Sequence, residues 1–198
     1  MKNKITQDTL VLIPSYNEGN NVMEVINELK KYFKNLLVIN DGSNDNTKLL
    51  LNKNKVSIIN HYVNLGQGAA LETGLEVFIK DPKLKYVITF DADGQHRPSD
   101  AYKMLKLAKK KKFNAVIGTR FQSKIALKEI PFLKRITLIL AKIYERFFYG
   151  IKLSDAHNGL RVLEKELVIN HILPIKNSGM NHGTEISSKI CHSSLKYI

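Results

Sequence analysis

Short apolar segments alternate with stretches of helical periodicity along most of this chain, and that alternation limits its fold more than any other feature. Residues 9–14 (TLVLIP) have the length and composition of a buried strand. From Asn20 the apolar residues recur at helical spacing, and residues 36–39 then form a second apolar run. The sequence therefore predicts a strand–helix–strand unit whose two strands are parallel.

The same alternation continues through the middle of the chain. Further strands are predicted at residues 56–59, 86–90 and 114–118, and further helices at residues 47–51, at residues 69–79 and after Asp100. Repeated units of this kind predict an α/β fold, a single Rossmann-like domain over residues 1–198 with a mostly parallel sheet and helices on both faces. The last four residues, LKYI, resemble the start of another strand, so we expect a C-terminal truncation. Ligands of such sheets bind at the carboxyl ends of the strands.

Composition excludes several classes of protein. The longest apolar runs are shorter than the roughly 20 residues that span a bilayer, and the first residues lack the apolar core of a secretory signal. We therefore expect a cytoplasmic protein. The single cysteine, Cys191, excludes an intramolecular disulfide and a cysteine-based zinc cluster.

The chain is strongly basic, with 31 Lys and Arg against 18 Asp and Glu and a net charge of +13. Such a balance favours polyanions, which include nucleic acids, anionic lipids and phosphorylated substrates. The densest cluster, residues 106–112, ends a predicted helix, where cations complement the helix dipole. Because this cluster lacks interleaved aromatic residues, we expect no nucleic-acid partner.

Residues 130–150 predict a basic amphipathic helix. One stripe is apolar and the remaining surface carries cations, namely Lys134, Arg135, Lys142 and Arg146. This helix either packs on the sheet or lies in a membrane interface against anionic lipid. The second interpretation predicts a protein that associates peripherally with the inner face of the cell membrane.

The segment ITFDADGQH, residues 88–96, places two carboxylates directly after a buried strand. Alternate residues of an extended segment share a face, so Asp91 and Asp93 can point toward one divalent cation. Carboxylate oxygens suit Mg²⁺ or Mn²⁺, and these ions complete their shells with water and substrate phosphates. Two carboxylates at this spacing are common and do not by themselves indicate a metal site. The loops that follow the other strands provide the further evidence.

Three such loops accompany this segment: IPSYNE at residues 13–18, NDGSNDNT at 40–47 and NLGQGAAL at 64–71. In this order the four loops resemble the family 2 glycosyltransferases of the GT-A fold. GTRF, SDAHNGLR and MNHGTEI further along resemble the branch of polyprenyl- and dolichyl-phosphate glycosyltransferases and related bacterial cell-surface polysaccharide enzymes. The resemblance implies transfer of a sugar from a nucleoside-diphosphate sugar, with inversion at the anomeric carbon and with Mg²⁺ or Mn²⁺ on the diphosphate.

The resemblance also implies which residues bind the donor. These are Pro14, Tyr16, Glu18, Asp41, Gly66, Gly68, Asp91 and Arg120. In such enzymes the loop matched by Pro14, Tyr16 and Glu18 lines the base and ribose, and the carboxylate matched by Asp41 hydrogen-bonds the base. A dinucleotide-binding G-x-G-x-x-G motif is excluded because Leu71 stands where its third glycine is required.

The implied metal ligands lie in the DADGQH segment. Asp93 matches the direct ligand, Asp91 lies near the metal and the ribose, and Gln95 matches a residue that completes the shell in some lipid-phosphate transferases. Arg120 follows a predicted strand and would add positive charge beside the diphosphate, or is simply a surface arginine. Gln67 departs from the family pattern, since many relatives have Lys or Arg at this position.

Four residues are assigned to the acceptor side. Asp155 is predicted to act as a base or to orient the acceptor, because a sugar hydroxyl must lose its proton whereas a lipid phosphate is already ionised. The alternative interpretation of Asp155 is an ordinary aspartate that caps a helix or lies in a turn. Arg135, His182 and Glu185 lie in segments that in relatives are close to the acceptor.

The leading hypothesis is therefore a metal-dependent glycosyltransferase that acts on a lipid phosphate or a lipid-linked glycan. One alternative keeps the same donor chemistry with a soluble saccharide acceptor. The other is a protein that binds nucleotide sugars without transferring them.

Overall fold

The structure, a computed structural model, describes residues 5–54, 56–119, 158–179 and 181–198, and within these residues one sheet organises the chain. Its strands are β1 (Thr9–Ser15), β2 (Asn35–Asn40), β3 (Ile58–Asn60), β4 (Tyr86–Thr89), β5 (Ala115–Ile117) and β6 (Arg161–Glu164). The spatial order is β3-β2-β1-β4-β6-β5. Strands β3, β2, β1 and β4 are parallel, and β6 is antiparallel to both of its neighbours.

Helices cover both faces of this sheet. They are α1 (Asn20–Lys30), α2 (Thr47–Lys53), α3 (Gln67–Lys80), α4 (Pro98–Lys111), α5 (Lys165–Leu167), which continues into a π-helical turn (Val168–Ile172), and α6 (His182–His192). The apolar sides of α1 and α4 pack on one face of the sheet, and those of α3 and α6 pack on the other. Every residue of β1 is buried because helices cover it on both sides. The predicted α/β fold is confirmed.

Helix α4 confirms the interpretation of the basic cluster. Pro98 occupies the first turn together with Asp100, and Lys109, Lys110 and Lys111 occupy the last turn. Charges at these positions oppose the helix dipole at both ends. Lys109 also contacts Asp8 in an ion pair, so this cation helps to hold α4 against the start of β1.

Two features of the sheet differ from the prediction or extend it. Strand β6 was not predicted, because its four residues, RVLE, contain only two apolar side chains and no clear alternation. Its place between β4 and β5 depends on pairing with distant residues, such as Ile88 with Val162. At the other end of the chain, Tyr197 forms a parallel bridge with Ala115, which agrees with the strand expected for the last residues.

Several predictions fall outside the described residues. They concern the helix at 130–150, Arg120, Arg135 and Asp155. Within the described ranges, no helix combines the length and the apolar character needed to cross a membrane.

Candidate active site

A polar cavity of about 370 Å³ opens at the carboxyl ends of β1, β2 and β4. Its lining includes seven of the residues predicted from the sequence to bind the donor or the metal: Pro14, Tyr16, Glu18, Asp41, Gly66, Asp91 and Asp93. These residues come from four separate loops, and the parallel strands bring the loops to the same edge of the sheet. The structure thus brings seven of the ten residues predicted for the donor and the metal together in one cavity.

Asp91 is held from two sides at the floor of this cavity. Gln67 Nε2 donates a hydrogen bond to Asp91 Oδ1 at 3.0 Å, and His96 Nε2 lies 3.3 Å from Oδ2. The ring of His96 is itself packed edge-on against Phe90. Gly159 lies so close that a Cβ atom there would come within 3.0 Å of both carboxylate oxygens. Asp91 therefore has a defined orientation.

Asp93 is exposed at the mouth of the cavity. Its Oδ1 accepts a hydrogen bond from the backbone N–H of Gln95 at 2.9 Å, across a turn in which Gly94 has a φ of 75°. The Gln95 residue is exposed and lines a neighbouring cavity of about 550 Å³, not the cavity that holds the two aspartates. The metal role of Gln95 stays a prediction.

Carboxylates accumulate at this edge of the sheet. The pKa of Glu18 is raised by burial and by the negative charges of Asp93, Asp45 and Asp91, although a hydrogen bond from Asn21 opposes the rise. Within the described residues, no three His, Cys, Asp or Glu side chains converge in a metal-binding group. The two aspartates alone fit a Mg²⁺ or Mn²⁺ ion that takes its remaining ligands from water and phosphate.

Asp41 is buried and fixes the loop between β3 and α3. The backbone N–H groups of Leu65 and Gly66 donate to its Oδ1 and Oδ2 at 2.9 and 2.8 Å, and His61 Nδ1 lies 2.7 Å from Oδ1. The residue still lines the cavity, 3% exposed. Its predicted contact with the base is therefore combined with a second task, which is to hold the wall of the cavity.

Gly66 and Gly68 allow α3 to approach a distant loop. Gly66 has a φ of 97°, and a Cβ atom there would come within 3.0 Å of the carbonyl oxygen of Ser178. The N–H of Gly68 donates to the same oxygen at 2.7 Å, and its own Cβ position is blocked by Asn177. Gly66 lines the cavity and Gly68 lies behind it, so both glycines position the start of α3 against residues 177–179.

Glu185 anchors the same loop from α6. Its carboxylate accepts hydrogen bonds from the N–H groups of Lys176 and Asn177 at 2.9 and 2.8 Å, and it pairs with Lys189 at 2.6 Å. Burial alone would raise the pKa of Glu185, but these donors outweigh it and lower the pKa to about 2. His182 is buried at the start of α6, where desolvation lowers its pKa. Their acceptor-side roles stay predictions.

Glu185→Gln is expected to lower the melting temperature at pH 7 and to lose that effect in acid. Because the folded-state pKa lies near 2, below the ordinary value of 4.5, the ionised carboxylate stabilises the fold above pH 4.5. This contribution is lost as the pH falls toward 2. Thermal unfolding of both proteins between pH 7 and pH 3 measures the difference, with the exposed Glu166→Gln as the matched control. A difference in melting temperature that does not shrink in acid contradicts the assignment.

Sequence reasoning missed the residues that hold the predicted ones in place. Gln67 was noted only as a departure from the family pattern, yet it donates to Asp91. Gly159 and His61 were not singled out at all. Their roles depend on close contacts across the sheet edge, and no local pattern in the sequence shows these contacts.

Comparison with known proteins agrees with this geometry. The family model described as "Glycosyl transferase family 2" matches residues 10–171. Among solved structures, the glucosyl-3-phosphoglycerate synthase of Mycobacterium tuberculosis, in complex with Mn²⁺, UDP-glucose and phosphoglyceric acid, superposes with a TM-score of 0.68. It is 17% identical in sequence, over 94% of this chain and 66% of that chain, so this likeness concerns the fold.

Two curated relatives are similar in sequence. The UDP-N-acetylglucosamine–dolichyl-phosphate N-acetylglucosaminyltransferase of Methanococcus voltae is 30% identical over 78% of this chain and 68% of its own length. The polyprenol monophosphomannose synthase of Mycolicibacterium smegmatis is 27% identical over 82% of this chain and 64% of its own. The chain thus spans about two thirds of the length of these relatives. By its family match and its fold, the chain belongs to glycosyl transferase family 2, and it is a glycosyltransferase.

Proposed function

We propose that this protein is an inverting, divalent-metal-dependent enzyme that transfers a sugar from a nucleoside-diphosphate sugar to a polyprenyl phosphate or a lipid-linked glycan. The observation that carries the proposal is the convergence of four polar loops on one cavity that contains Asp91 and Asp93. The names of two relatives support this class of acceptor, since one is a dolichyl-phosphate N-acetylglucosaminyltransferase and the other a polyprenol monophosphomannose synthase.

The donor would bind in the cavity of about 370 Å³. Tyr16, which is 43% exposed, offers an aromatic face at its rim, and the buried Asp41 offers a carboxylate that only accepts hydrogen bonds. A nucleobase has both a face that stacks and N–H groups that donate. These two side chains therefore suit the nucleoside part of the donor.

Asp91 and Asp93 would hold the cation, with Glu18 close enough to add negative charge. When bound, Mg²⁺ or Mn²⁺ acts as a Lewis acid that stabilises the negative charge on the departing nucleoside diphosphate. Gln67 and His96 fix the orientation of Asp91, so little rearrangement is needed when the donor arrives. Carboxylates without a cation would repel the diphosphate.

Of the four residues that the resemblance assigns to the acceptor side, Arg135 and Asp155 lie outside the described ranges. Asp155 would orient the acceptor or remove its proton, and a lipid phosphate needs no such base. The basic amphipathic helix that the sequence predicts for residues 130–150 would contact an anionic membrane, and the enzyme would then act at the cytoplasmic face of the membrane, where a lipid acceptor is present.

A nucleoside diphosphate is expected to raise the melting temperature only when Mg²⁺ or Mn²⁺ is present. The diphosphate and the carboxylates repel one another until a cation bridges them, and ligand binding stabilises the folded state. Asp93→Asn should abolish the metal-dependent part of the increase. Thermal unfolding with UDP or GDP, with Mn²⁺ or with a chelator, measures the effect.

The matched control is Asp100→Asn, which alters a half-exposed carboxylate in the first turn of α4. This variant should keep the metal-dependent increase. An equal increase with the chelator, or an unchanged increase in Asp93→Asn, would exclude the proposed metal site.

A further inference from the structure

Three side chains from different elements form a continuous chain of hydrogen bonds behind the cavity. His61 Nδ1 lies 2.7 Å from Asp41 Oδ1, and His61 Nε2 lies 3.0 Å from Thr73 Oγ1. Asp41 follows β2, His61 follows β3, and Thr73 lies in α3. The Thr73–His61–Asp41 chain therefore links the ends of two strands to the helix that borders the cavity.

The direction of these hydrogen bonds follows from the chemistry of the groups. A carboxylate only accepts, so the Nδ1 of His61 carries a proton and donates it to Asp41. In the neutral ring Nε2 is then an acceptor, and the Thr73 hydroxyl donates to it. The Asp41 carboxylate thus selects the tautomer, and the Thr73 hydroxyl, which can donate as well as accept, provides the matching donor to Nε2.

The backbone at both ends of the His61–Asp41 pair is fixed as well. The N–H of Asp41 donates to the carbonyl oxygen of Ser15, and the N–H of His61 donates to that of Asn40, both at 2.9 Å. The two side chains are almost completely buried, with 9% of His61 and 4% of Asp41 exposed. Water competes little for a hydrogen bond in such a place, so this pair has a defined geometry.

The contacts determine how Asp41 faces the cavity. Its Oδ1 accepts from both His61 and Leu65, whereas among the described residues Oδ2 accepts from the N–H of Gly66 alone. A carboxylate oxygen has two acceptor positions, so Oδ2 retains one. Asp41 lines the cavity, and the remaining position is available to an N–H group of a bound molecule.

We infer that His61 is a positioning residue of this site, and that with Thr73 it holds Asp41 in the orientation that recognises the base of the donor. The inference rests on the proposed function, because it needs a nucleotide in the cavity. The side chain of His61 contacts Asp41 and Thr73, and not the aspartates proposed to hold the metal. It acts through Asp41, and only on the part of the affinity that comes from the base.

The test compares binding of UDP, GDP and inorganic pyrophosphate, each with Mn²⁺, by titration calorimetry. His61→Phe keeps a ring of similar size and removes both hydrogen bonds, so we expect about tenfold weaker binding of the nucleotide that the wild type binds. Thr73→Val removes only the donor to His61 and should weaken binding by about threefold. Thr73→Ser keeps the hydroxyl, so this variant should bind the nucleotide as tightly as the wild type. Pyrophosphate affinity should stay within about twofold in every variant.

The matched control is His192→Phe, since His192 is exposed at the end of α6 and bonds only within its own helix among the described contacts. Nucleotide binding unchanged in both His61→Phe and Thr73→Val would overturn the inference, as would an equal loss of pyrophosphate binding. If His61→Phe does not fold, the near-isosteric Thr73→Val decides alone. A wild-type protein that binds neither UDP nor GDP overturns the proposed function and the inference with it.

Discussion

Gly159→Ala is expected to reduce transfer activity by at least about 100-fold while the protein stays folded. The new Cβ atom would overlap the Asp91 carboxylate. The backbone at this point is held because Thr89 Oγ1 donates to the carbonyl oxygen of Gly159 at 2.6 Å and β6 begins two residues later. The carboxylate must therefore turn away from Gln67 and His96. A displacement of about 1 Å at a reacting centre is enough for a loss of this size.

Steady-state transfer rates measure this effect, and circular dichroism checks that the variant is folded. Gly179→Ala is the matched control, because a Cβ atom there would meet no described residue within 4 Å apart from its chain neighbours. The control should keep its activity within about twofold, as is usual for a substitution that makes no new contact. Full activity in Gly159→Ala would mean that the orientation of Asp91 does not matter for the reaction.

Asp155→Asn is expected to lower kcat far more than it lowers donor affinity. If the acceptor is a sugar hydroxyl, loss of a general base costs about 10²–10⁴ in rate. If the acceptor is a phosphate, which is already ionised, the loss should be much smaller. The size of the effect on kcat thus reports the class of acceptor as well as the role of the residue.

Donor affinity of the same variant, measured by nucleotide titration, provides the check. It should stay within about twofold of the wild-type value. A large loss of nucleotide affinity together with a normal kcat at saturation would move Asp155 to the donor site.

Much of the fold could be predicted from the sequence because buried parallel strands have a simple pattern. The run TLVLIP is covered on both faces, so almost all of it is apolar, and this composition alone indicates a strand. Strand β6 has no such pattern. Its residues Val162 and Leu163 contribute to opposite faces of the sheet, and only pairing with β4 and β5 makes them a strand.

Some residues of the candidate site could likewise be predicted from the sequence, and others could not. Asp91 and Asp93 are recognisable because their spacing after a strand is a local property. The contacts of Glu185 could not be predicted, since the loop that it anchors returns to α3 through Ser178. Side chains that bind a ligand therefore leave a signal in the sequence, whereas those that position them are evident only from the packing of distant segments.

Transfer of a labelled sugar to polyprenyl phosphate tests the proposed activity itself. The protein is incubated with UDP- and GDP-sugars, Mn²⁺ or Mg²⁺, and either polyprenyl phosphate in vesicles or soluble saccharides. We expect a lipid-linked sugar of inverted anomeric configuration that forms only with the cation and is lost in Asp93→Asn. Transfer that persists with a chelator, or transfer to soluble saccharides alone, would contradict it.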